Sequence, residues 1–153
     1  MIKKYIIYIA LLCFAVSQAF PLPNDVRWVT NSSEYKILCK QIYEHAWWKI
    51  NSNPILEQSQ WAIVMDLDET VLDNSQYQIN LSKKNESYNP DSWSKWVNLE
   101  QADLVPGAKI FIDKIRSFDN VQLIFLSNRM AKNLAPTIKN MKALGIYDEQ
   151  DIF

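Results

Sequence analysis

The amino-acid sequence predicts an α/β fold in which a parallel sheet is packed against helices. Two short apolar runs, WAIVMDL from residue 61 and VQLIFL at 121–126, each end in polar residues, as buried strands of such a sheet do. Segments with helical spacing of apolar residues precede, separate and follow them. The order of strand, long insertion, helix, strand and helix indicates one domain, and 153 residues are too few for two ordinary domains.

The first 19 residues have the pattern of a secretory signal peptide. Lys3 and Lys4 precede an apolar run from Tyr5 to Val16, and cleavage is expected after Ala19. The run is too short to span a bilayer, so a retained membrane anchor is the weaker alternative. We therefore expect a secreted or periplasmic protein, with residues 20–153 as the mature domain and no stable membrane anchor after cleavage.

Composition and charge exclude several function classes. The only glycines, Gly107 and Gly145, do not form a P-loop or a dinucleotide-binding motif. His45 is the only histidine, which argues against a histidine-based zinc site. Cys39 is the only cysteine left after cleavage, so an intramolecular disulfide is excluded and a buried free thiol is expected. A formal charge of −1 offers no basic surface for nucleic acid.

A long helix is predicted before the first strand. The segment EYKILCKQIYEHAWWKI begins at residue 34, and Asn31, Ser32 or Ser33 can cap the helix. The pair Trp47-Trp48 is expected to cover the main domain, with ligand stacking as the alternative. The positions predicted to form the apolar stripe are Tyr35, Leu38, Ile42, Ala46 and Ile50.

The remaining segments predict an insertion and two further helices. Residues at about 74–104 are polar and read as a small insertion with a short helix from about Pro90. A helix within 105–115 is predicted to place Ile110, Phe111 and Ile115 on one broad face. The last helix is expected to open near Pro136, to turn Ile138, Met141 and Leu144 inward, and to end at Gly145.

Two groups of polar residues follow the two predicted strands. Asp66, Asp68 and Thr70 come at the end of the first strand, and Ser127-Asn128-Arg129 follow the second. Ligands of open α/β sheets bind at the carboxyl ends of the strands, so this position indicates a functional site. An ionised aspartate can attack phosphorus when a divalent cation offsets charge repulsion, and a second carboxylate can transfer the proton. Arginine and serine can hydrogen-bond phosphoryl oxygens.

These motifs resemble those of a known family. The stretches DLDETVLDNSQY, the tryptophans at 93 and 96, VPGA and IFLSNR are similar to secreted acid phosphatases of the haloacid dehalogenase (HAD) superfamily, subfamily IIIB, which includes the class B and class C enzymes. The resemblance covers nearly all of the chain from about residue 22. It implies a Rossmannoid parallel sheet with helices on both faces, a small cap insertion and an N-terminal helical extension.

The resemblance also implies roles for individual residues. Asp66 would be the nucleophile that forms an aspartyl-phosphate, and Asp68 the general acid and base. Mg²⁺ would be held by the carboxylate of Asp66 and the main-chain carbonyl of Asp68. Ser127 would bind the phosphoryl group, with Thr70, Asn128 and Arg129 supporting the substrate or the loop. The implied reaction is hydrolysis of small phosphomonoesters, nucleoside monophosphates among the candidates.

Two features of the resemblance leave alternatives open. Tyr77, Trp93 and Trp96 border the expected cap and could stack on a substrate, although packing of the insertion is the favoured role. The family's third-motif lysine and fourth-motif acids would lie beyond Phe153, since Lys139 and Lys142 read as solvated. The chain is therefore expected to be C-terminally incomplete, with a non-catalytic binding protein as the alternative. An incomplete sheet predicts poor solubility or association, and the oligomeric state is left open.

Overall fold

The computed structural model describes residues 22–56 and 59–153, and the predicted signal peptide at 1–19 lies outside them. None of the helices in these ranges is both long and apolar enough to cross a membrane. The described helices are α1 (Asn24–Asn31), α2 (Ser33–Asn51), α3 (Ser75–Lys84), α4 (Pro90–Val97), α5 (Ala108–Ile115) and α6 (Leu134–Ala143). The strands are β1 (Trp61–Asp66), β2 (Leu72–Asp73), β3 (Asp103–Leu104) and β4 (Val121–Leu126), and a 3₁₀ turn (Ala131–Asn133) precedes α6.

The two predicted buried strands pair in parallel and form the centre of the fold. Their register sets Val64 beside Ile124 and Asp66 beside Leu126. On the other side of β4, Ile152 forms a parallel bridge to Ile124, with its amide donating to the Leu123 carbonyl at 3.1 Å. The α/β class with a parallel sheet is thus confirmed. The carboxyl ends of β1 and β4 lie side by side.

Helices of the described residues cover one face of this sheet. Met65, Leu123 and Phe125 point into a core that also contains side chains of α5 and α6, with parts of α2 packed against it. On the opposite face, Val64 is 58% exposed and Leu126 is 66% exposed. These two side chains leave part of that face open within the described ranges.

Helix α5 buries Phe111 and Ile115 as predicted, but the prediction for Ile110 was wrong. Ile110, predicted to face inward, is 61% exposed, whereas Ile112 is fully buried. The buried positions of α5 are Ala108, Phe111, Ile112 and Ile115, which share one helical face at 3.6 residues per turn. Ile110 lies about 200° around the helix from Ile112, so both cannot face the core.

Helix α2 has its N-cap at Ser32, one of the three predicted candidates. The Ser32 hydroxyl accepts a hydrogen bond from the Tyr35 amide at 3.0 Å. The inward face consists of Tyr43, Ala46, Trp47 and Ile50. Leu38 and Ile42, predicted to face inward, are exposed, and so is Trp48. The prediction was wrong for Leu38 and Ile42 because α2 carries apolar side chains on several sides. The spacing of apolar residues alone did not identify the side that packs against the core.

The contact between α2 and α5 depends on the absence of a side chain at Gly107. Gly107 adopts a left-handed backbone conformation with φ +98°. A Cβ atom added there would lie 3.0 Å from Cδ2 of Tyr43 and 3.2 Å from Cα of Lys40. The two helices therefore approach closely, and the Tyr43 ring packs against Phe111 with its centroid at 5.2 Å.

The segment between β2 and β3 is helical, and the two short strands that flank it pair with each other in antiparallel orientation. β2 pairs with β3, setting Leu72 beside Leu104. Helix α4 begins at Pro90 as predicted, while α3 was not predicted. The side-chain amide of Asn140, on α6, donates to and accepts from the backbone of Ala102, both at 3.0 Å. This pair of bonds fixes the returning end of the insertion to the main domain.

The last helix follows the prediction closely. Helix α6 starts at Leu134, two residues before Pro136, and Met141 is fully buried. Ile138 and Leu144 are half-buried. Gly145 has φ +67°, as expected for a glycine that ends a helix. The amide side chain of Asn140 and the hydroxyl of Thr137 are also buried, which apolar spacing could not reveal.

The inward face of α5 can be tested by a matched pair of substitutions. We expect Ile112→Ala to lower the free energy of unfolding by about 2–5 kcal/mol, because it leaves a cavity in the core. Ile110→Ala removes the same atoms at an exposed site and should change the free energy by about 0.5 kcal/mol or less. Urea denaturation followed by circular dichroism measures both, and equal losses would contradict the orientation of α5.

The exposed sheet face predicts association in solution. Val64 and Leu126 present an apolar surface beside the edge of β1 that pairs with no strand in the described part of the chain, and such edges pair with other chains. We expect the 153-residue chain to show concentration-dependent association in light scattering, which Leu126→Gln reduces. A monomer at all concentrations that is unaffected by the substitution would refute this expectation.

Candidate active site

The predicted site residues come together where β1 and β4 end. Asp66 is the last residue of β1, and Ser127 follows the last residue of β4, its neighbour in register. After Asp66 the chain turns back, because the Leu67 carbonyl accepts the amides of Val71 at 2.9 Å and Leu72 at 2.8 Å. The turn places Asp68 over the end of β4.

Asp66 presents an exposed carboxylate that one residue of the described ranges holds by a hydrogen bond. Its Oδ2 atom accepts a hydrogen bond from the hydroxyl of Thr70 at 3.1 Å. The carbonyl of Thr70 in turn accepts from the hydroxyl of Tyr43, on α2. Burial, with a smaller contribution from Cys39, raises the pKa of Tyr43 to about 12, so its hydroxyl stays protonated at neutral pH. Sequence reasoning did not identify Tyr43, because the contact spans 27 residues.

Asp68 is bound by two residues that follow β4. Its carboxylate accepts hydrogen bonds from Arg129, from Nε at 3.1 Å and from Nη2 at 2.7 Å. The Ser127 hydroxyl donates to Oδ2 of Asp68 at 3.3 Å and accepts the Arg129 amide at 3.1 Å. The side chain of Arg129 is 6% exposed and that of Asp68 is 21% exposed. The charge-assisted fork geometry is the arrangement in which arginine binds carboxylates most strongly.

Arg129 is also fixed from the side away from Asp68. Its Nη1 atom donates to the Thr137 hydroxyl at 2.8 Å. Its guanidinium carbon lies 5.6 Å from the ring centroid of Trp93, on α4, which is cation–π distance. Arg129 therefore joins the SNR segment, the insertion and α6. Thr137 was not expected in the site, and no sequence motif indicated it.

A buried amide completes the surroundings of Asp68. Asn74 is fully buried, and its Nδ2 atom donates to Oδ1 of Asp68 at 2.9 Å. Its Oδ1 atom accepts the indole N–H of Trp96 at 2.9 Å. Sequence reasoning did not assign a role to Asn74, although an asparagine two residues after the buried Leu72, within the same motif as Asp66 and Asp68, was an available signal.

The aromatic residues of the insertion divide between packing and exposure. Tyr77 and Trp96 are buried, and their rings pack with centroids 6.3 Å apart. Trp93 packs edge-on against Tyr77 with a centroid distance of 5.1 Å and is only partly buried. The favoured prediction of a packing role thus holds for Tyr77 and Trp96, while Trp93 keeps a surface near Arg129.

Three other residues considered from sequence lie outside this network. Asn128 is exposed, and its side chain makes no hydrogen bond within the described ranges. Lys139 is exposed and lies 3.4 Å from Glu100, and Lys142 lies over the ring of Tyr147 at 4.6 Å. The prediction that both lysines are solvated on α6 agrees with these positions.

Negative charge is concentrated around the Asp66–Thr70 turn. Glu69 adopts a left-handed conformation with φ 58°, and its amide donates to the Leu72 carbonyl at 2.8 Å. Partial desolvation, and then the charges of Asp68 and Asp73, raise the pKa of the Glu69 carboxyl. An anionic ligand would therefore be repelled here unless a cation accompanied it.

The oxygen atoms of the turn fit a partial site for a hard divalent cation. The described residues contain no cluster of three histidine, cysteine, aspartate or glutamate side chains placed to hold a metal. Asp66 nevertheless offers an exposed carboxylate, and the Asp68 carbonyl accepts no hydrogen bond within those same ranges. Mg²⁺ is commonly bound by one or two protein oxygens together with waters and a phosphate. The donor set therefore fits Mg²⁺ and does not fit a closed cage of protein ligands.

Paired aspartates at the carboxyl end of β1, beside Ser-Asn-Arg at the carboxyl end of the parallel strand β4, define an α/β protein of the HAD type. Residues 17–153 match the family described as HAD superfamily, subfamily IIIB (Acid phosphatase). The chain belongs to this family.

Two solved structures show what this chain is similar to. The structure of the class C acid phosphatase from Bacillus anthracis is 33% identical, with a TM-score of 0.75 over 83% of this chain and 55% of that one. The same enzyme with tungstate bound is also 33% identical, with a TM-score of 0.73 over 83% of this chain and 54% of that one. The chain thus spans about half the length of the solved relatives that it matches.

The Arg129–Asp68 pair should contribute measurably to stability. Arg129→Met leaves Asp68 without its main charge partner at a largely desolvated position, and we expect a loss of about 2 kcal/mol in the free energy of unfolding. Lys109→Met breaks the exposed pair with Asp113, 3.0 Å apart, and should cost about 0.5 kcal/mol or less. Urea denaturation compares the two variants. A loss in Arg129→Met no larger than in Lys109→Met would show that the site pair is not structural.

Proposed function

We propose that this protein acts as a metal-dependent phosphomonoesterase that forms an aspartyl-phosphate on Asp66. The supporting observation is the unequal surroundings of two carboxylates at one sheet edge. Among the described residues, the exposed Asp66 carboxylate has a single hydrogen-bond donor, Thr70, whereas Asp68 is held by Arg129, Ser127 and Asn74. A free carboxylate suits nucleophilic attack, and a firmly oriented one suits proton transfer.

The proposed first step transfers the phosphoryl group to the protein. An oxygen of Asp66 attacks phosphorus, the bond between phosphorus and the ester oxygen breaks, and Asp68, which enters this step as the protonated carboxylic acid, delivers its proton to the departing oxygen. In the second step Asp68 takes a proton from water, the water oxygen attacks phosphorus, and the bond to Asp66 breaks. Inorganic phosphate is released, and both carboxylates return to their starting states.

Ser127, Asn128 and Arg129 are proposed to support the phosphoryl group and its surroundings. Ser127 already lies within hydrogen-bond distance of Asp68, so its hydroxyl is near the transferring group. Arg129 is engaged with Asp68 and Thr137, which makes orientation of the acid its first role, with phosphate support through the same guanidinium. Asn128, exposed at the same edge, is available to a substrate, and Thr70 orients Asp66.

The proposed metal is Mg²⁺, held by the Asp66 carboxylate and the Asp68 carbonyl. When bound, it would offset the repulsion between the phosphate and the carboxylates of this turn. The proposed substrates are small phosphomonoesters. Trp93 supports a planar leaving group such as a nucleoside, because it is the insertion aromatic that remains partly exposed beside Arg129. Export through the predicted signal peptide, to the periplasm or the medium, is part of the proposal.

Substitution of the two aspartates tests the proposed roles. We expect Asp66→Asn to abolish hydrolysis of p-nitrophenyl phosphate, because an amide is not a nucleophile. Asp68→Asn should retain slow turnover of this substrate but lose about 10²–10⁴-fold on alkyl phosphates, whose leaving groups need the proton. Asp113→Asn, at an exposed carboxylate, is the matched control. Equal turnover by Asp66→Asn and the parent would refute Asp66 as the nucleophile, whereas an absence of turnover in the parent would favour a non-catalytic binding protein.

Removal of the cation tests the metal. We expect treatment with a chelator to abolish hydrolysis, because the carboxylates of the turn then repel the phosphate. Added Mg²⁺ should restore hydrolysis by offsetting that repulsion. Release of inorganic phosphate is the measurement. Full activity after chelation, with metal content verified as negligible, would contradict metal dependence.

A further inference from the structure

Asn74 uses its side chain in an unusual way for its position. It is the N-cap residue of α3, where asparagine ordinarily accepts a backbone amide of the first helical turn. Here the Asn74 side chain makes no capping bond. The amide of Ser75 is bound instead by Oδ1 of Asp73 at 2.8 Å. The side chain of Asn74 is thus diverted from capping into the site.

The partners of Asn74 determine which way its amide points. The indole N–H of Trp96 can only donate, so the atom facing it must be the oxygen. The opposite atom faces two acceptors, Oδ1 of Asp68 at 2.9 Å and the Leu72 carbonyl at 3.4 Å. Both require a donor, and hence the NH₂ group. The three partners therefore agree on one orientation, and rotation of the amide would create three repulsive contacts.

The network spans the insertion and the paired carboxylates. Trp96 is 3% exposed on α4, and Asn74 is fully buried, so water does not compete for these bonds. Buried hydrogen bonds in such chains reinforce one another and are costly to leave unpaired. The orientation of α4 is thereby transmitted through two side chains to the carboxylate of Asp68.

We propose that Asn74 is a positioning residue for Asp68, and that Trp96 holds it in the required orientation. This inference rests on the proposed role of Asp68 as general acid. Asn74 donates to one carboxylate oxygen while Arg129 and Ser127 bind from the side of β4. The acid is thus fixed from both the insertion and the sheet. A shift of α4 would change the orientation of the Asp68 carboxyl group, and with it the direction in which Asp68 delivers its proton.

Leaving-group dependence distinguishes a positioning role from a structural one. Asn74→Leu keeps the approximate volume but removes the amide, and Asn74→Asp keeps an acceptor for Trp96 but removes the donor to Asp68. In both variants we expect kcat to fall about 30-fold or more on an alkyl phosphate and about 3-fold on p-nitrophenyl phosphate, with KM changing little, because only the poor leaving group needs the proton. Trp96→Phe should change kcat in the same direction by a smaller factor.

The matched control removes another hydrogen bond from the insertion. Tyr77→Phe eliminates the 2.8 Å contact between the Tyr77 hydroxyl and Ser92 but does not touch Asp68. We expect this variant to leave the ratio of the two rates unchanged. Equal losses on both substrates in the Asn74 variants would overturn the positioning role.

A measurement without turnover separates this inference from the proposed function. In ¹H–¹⁵N spectra of the whole chain, the Trp96 indole N–H should move upfield and exchange faster in Asn74→Leu, which loses the acceptor. We expect Asp68→Ala to shift the same resonance in the same direction, because Asn74 loses its anchor. The indole N–H of Trp61, whose nitrogen is buried and has no hydrogen-bond partner within the described residues, is the internal reference.

The two measurements fail in different ways. An unchanged Trp96 resonance in Asp68→Ala would overturn the connection between α4 and Asp68, whatever the activity. A shifted resonance in a protein whose Asp66→Asn variant is as active as the parent would support the connection and refute the proposed function.

Discussion

The ion pair between Asp68 and Arg129 is the interaction on which the site depends. It joins side chains 61 residues apart in sequence, one after β1 and one after β4. Strand pairing brings the two loops near each other, but it does not fix the side chains. The fork of Arg129 fixes the plane of the Asp68 carboxylate, and Thr137 fixes the fork. Since Arg129 is almost fully buried, the pair is screened little by solvent.

The same pair explains the division of labour between the aspartates. Arg129, Ser127 and Asn74 all donate hydrogen bonds to Asp68, whereas Asp66 stays accessible to a ligand. The two carboxylates therefore differ in surroundings although they are only two residues apart in sequence. Environment, rather than residue type, thus distinguishes a nucleophile from an acid in the proposed mechanism. The acidic residues Asp66, Asp68 and Glu69 lie within four residues in this turn, and their negative charge gives a physical reason for a cation.

Sequence predicted the parts of this structure that depend on local pattern. The strands at 61–66 and 121–126, the helix from Pro90 and the cap at Gly145 all have signals within a few residues. The parallel pairing then placed both polar motifs at one edge. The side of each helix that faces the core was harder to predict, because α2 and α5 each carry apolar side chains outside their buried face as well as on it. Ile110 and Leu38 are such residues, and only packing against neighbours decides their side.

The polar contacts of the site were largely beyond sequence reasoning. Asn74, Thr137 and Tyr43 are common residue types, and each acquires its role from a partner that is distant in sequence or contributed by another element. Motif resemblance identified the residues proposed for chemistry, but not those that hold them. A buried amide is found by asking where its hydrogen bonds go, and that question needs coordinates.

The close approach at Gly107 bears on what counts as the catalytic unit. Because this glycine lets α2 lie against α5, the ring of Tyr43 reaches the back of the Asp66–Thr70 turn. Helix α2, which precedes the first strand, therefore supports the site directly. A protein trimmed to begin at β1 would keep every motif residue and still lose the support behind its proposed nucleophile.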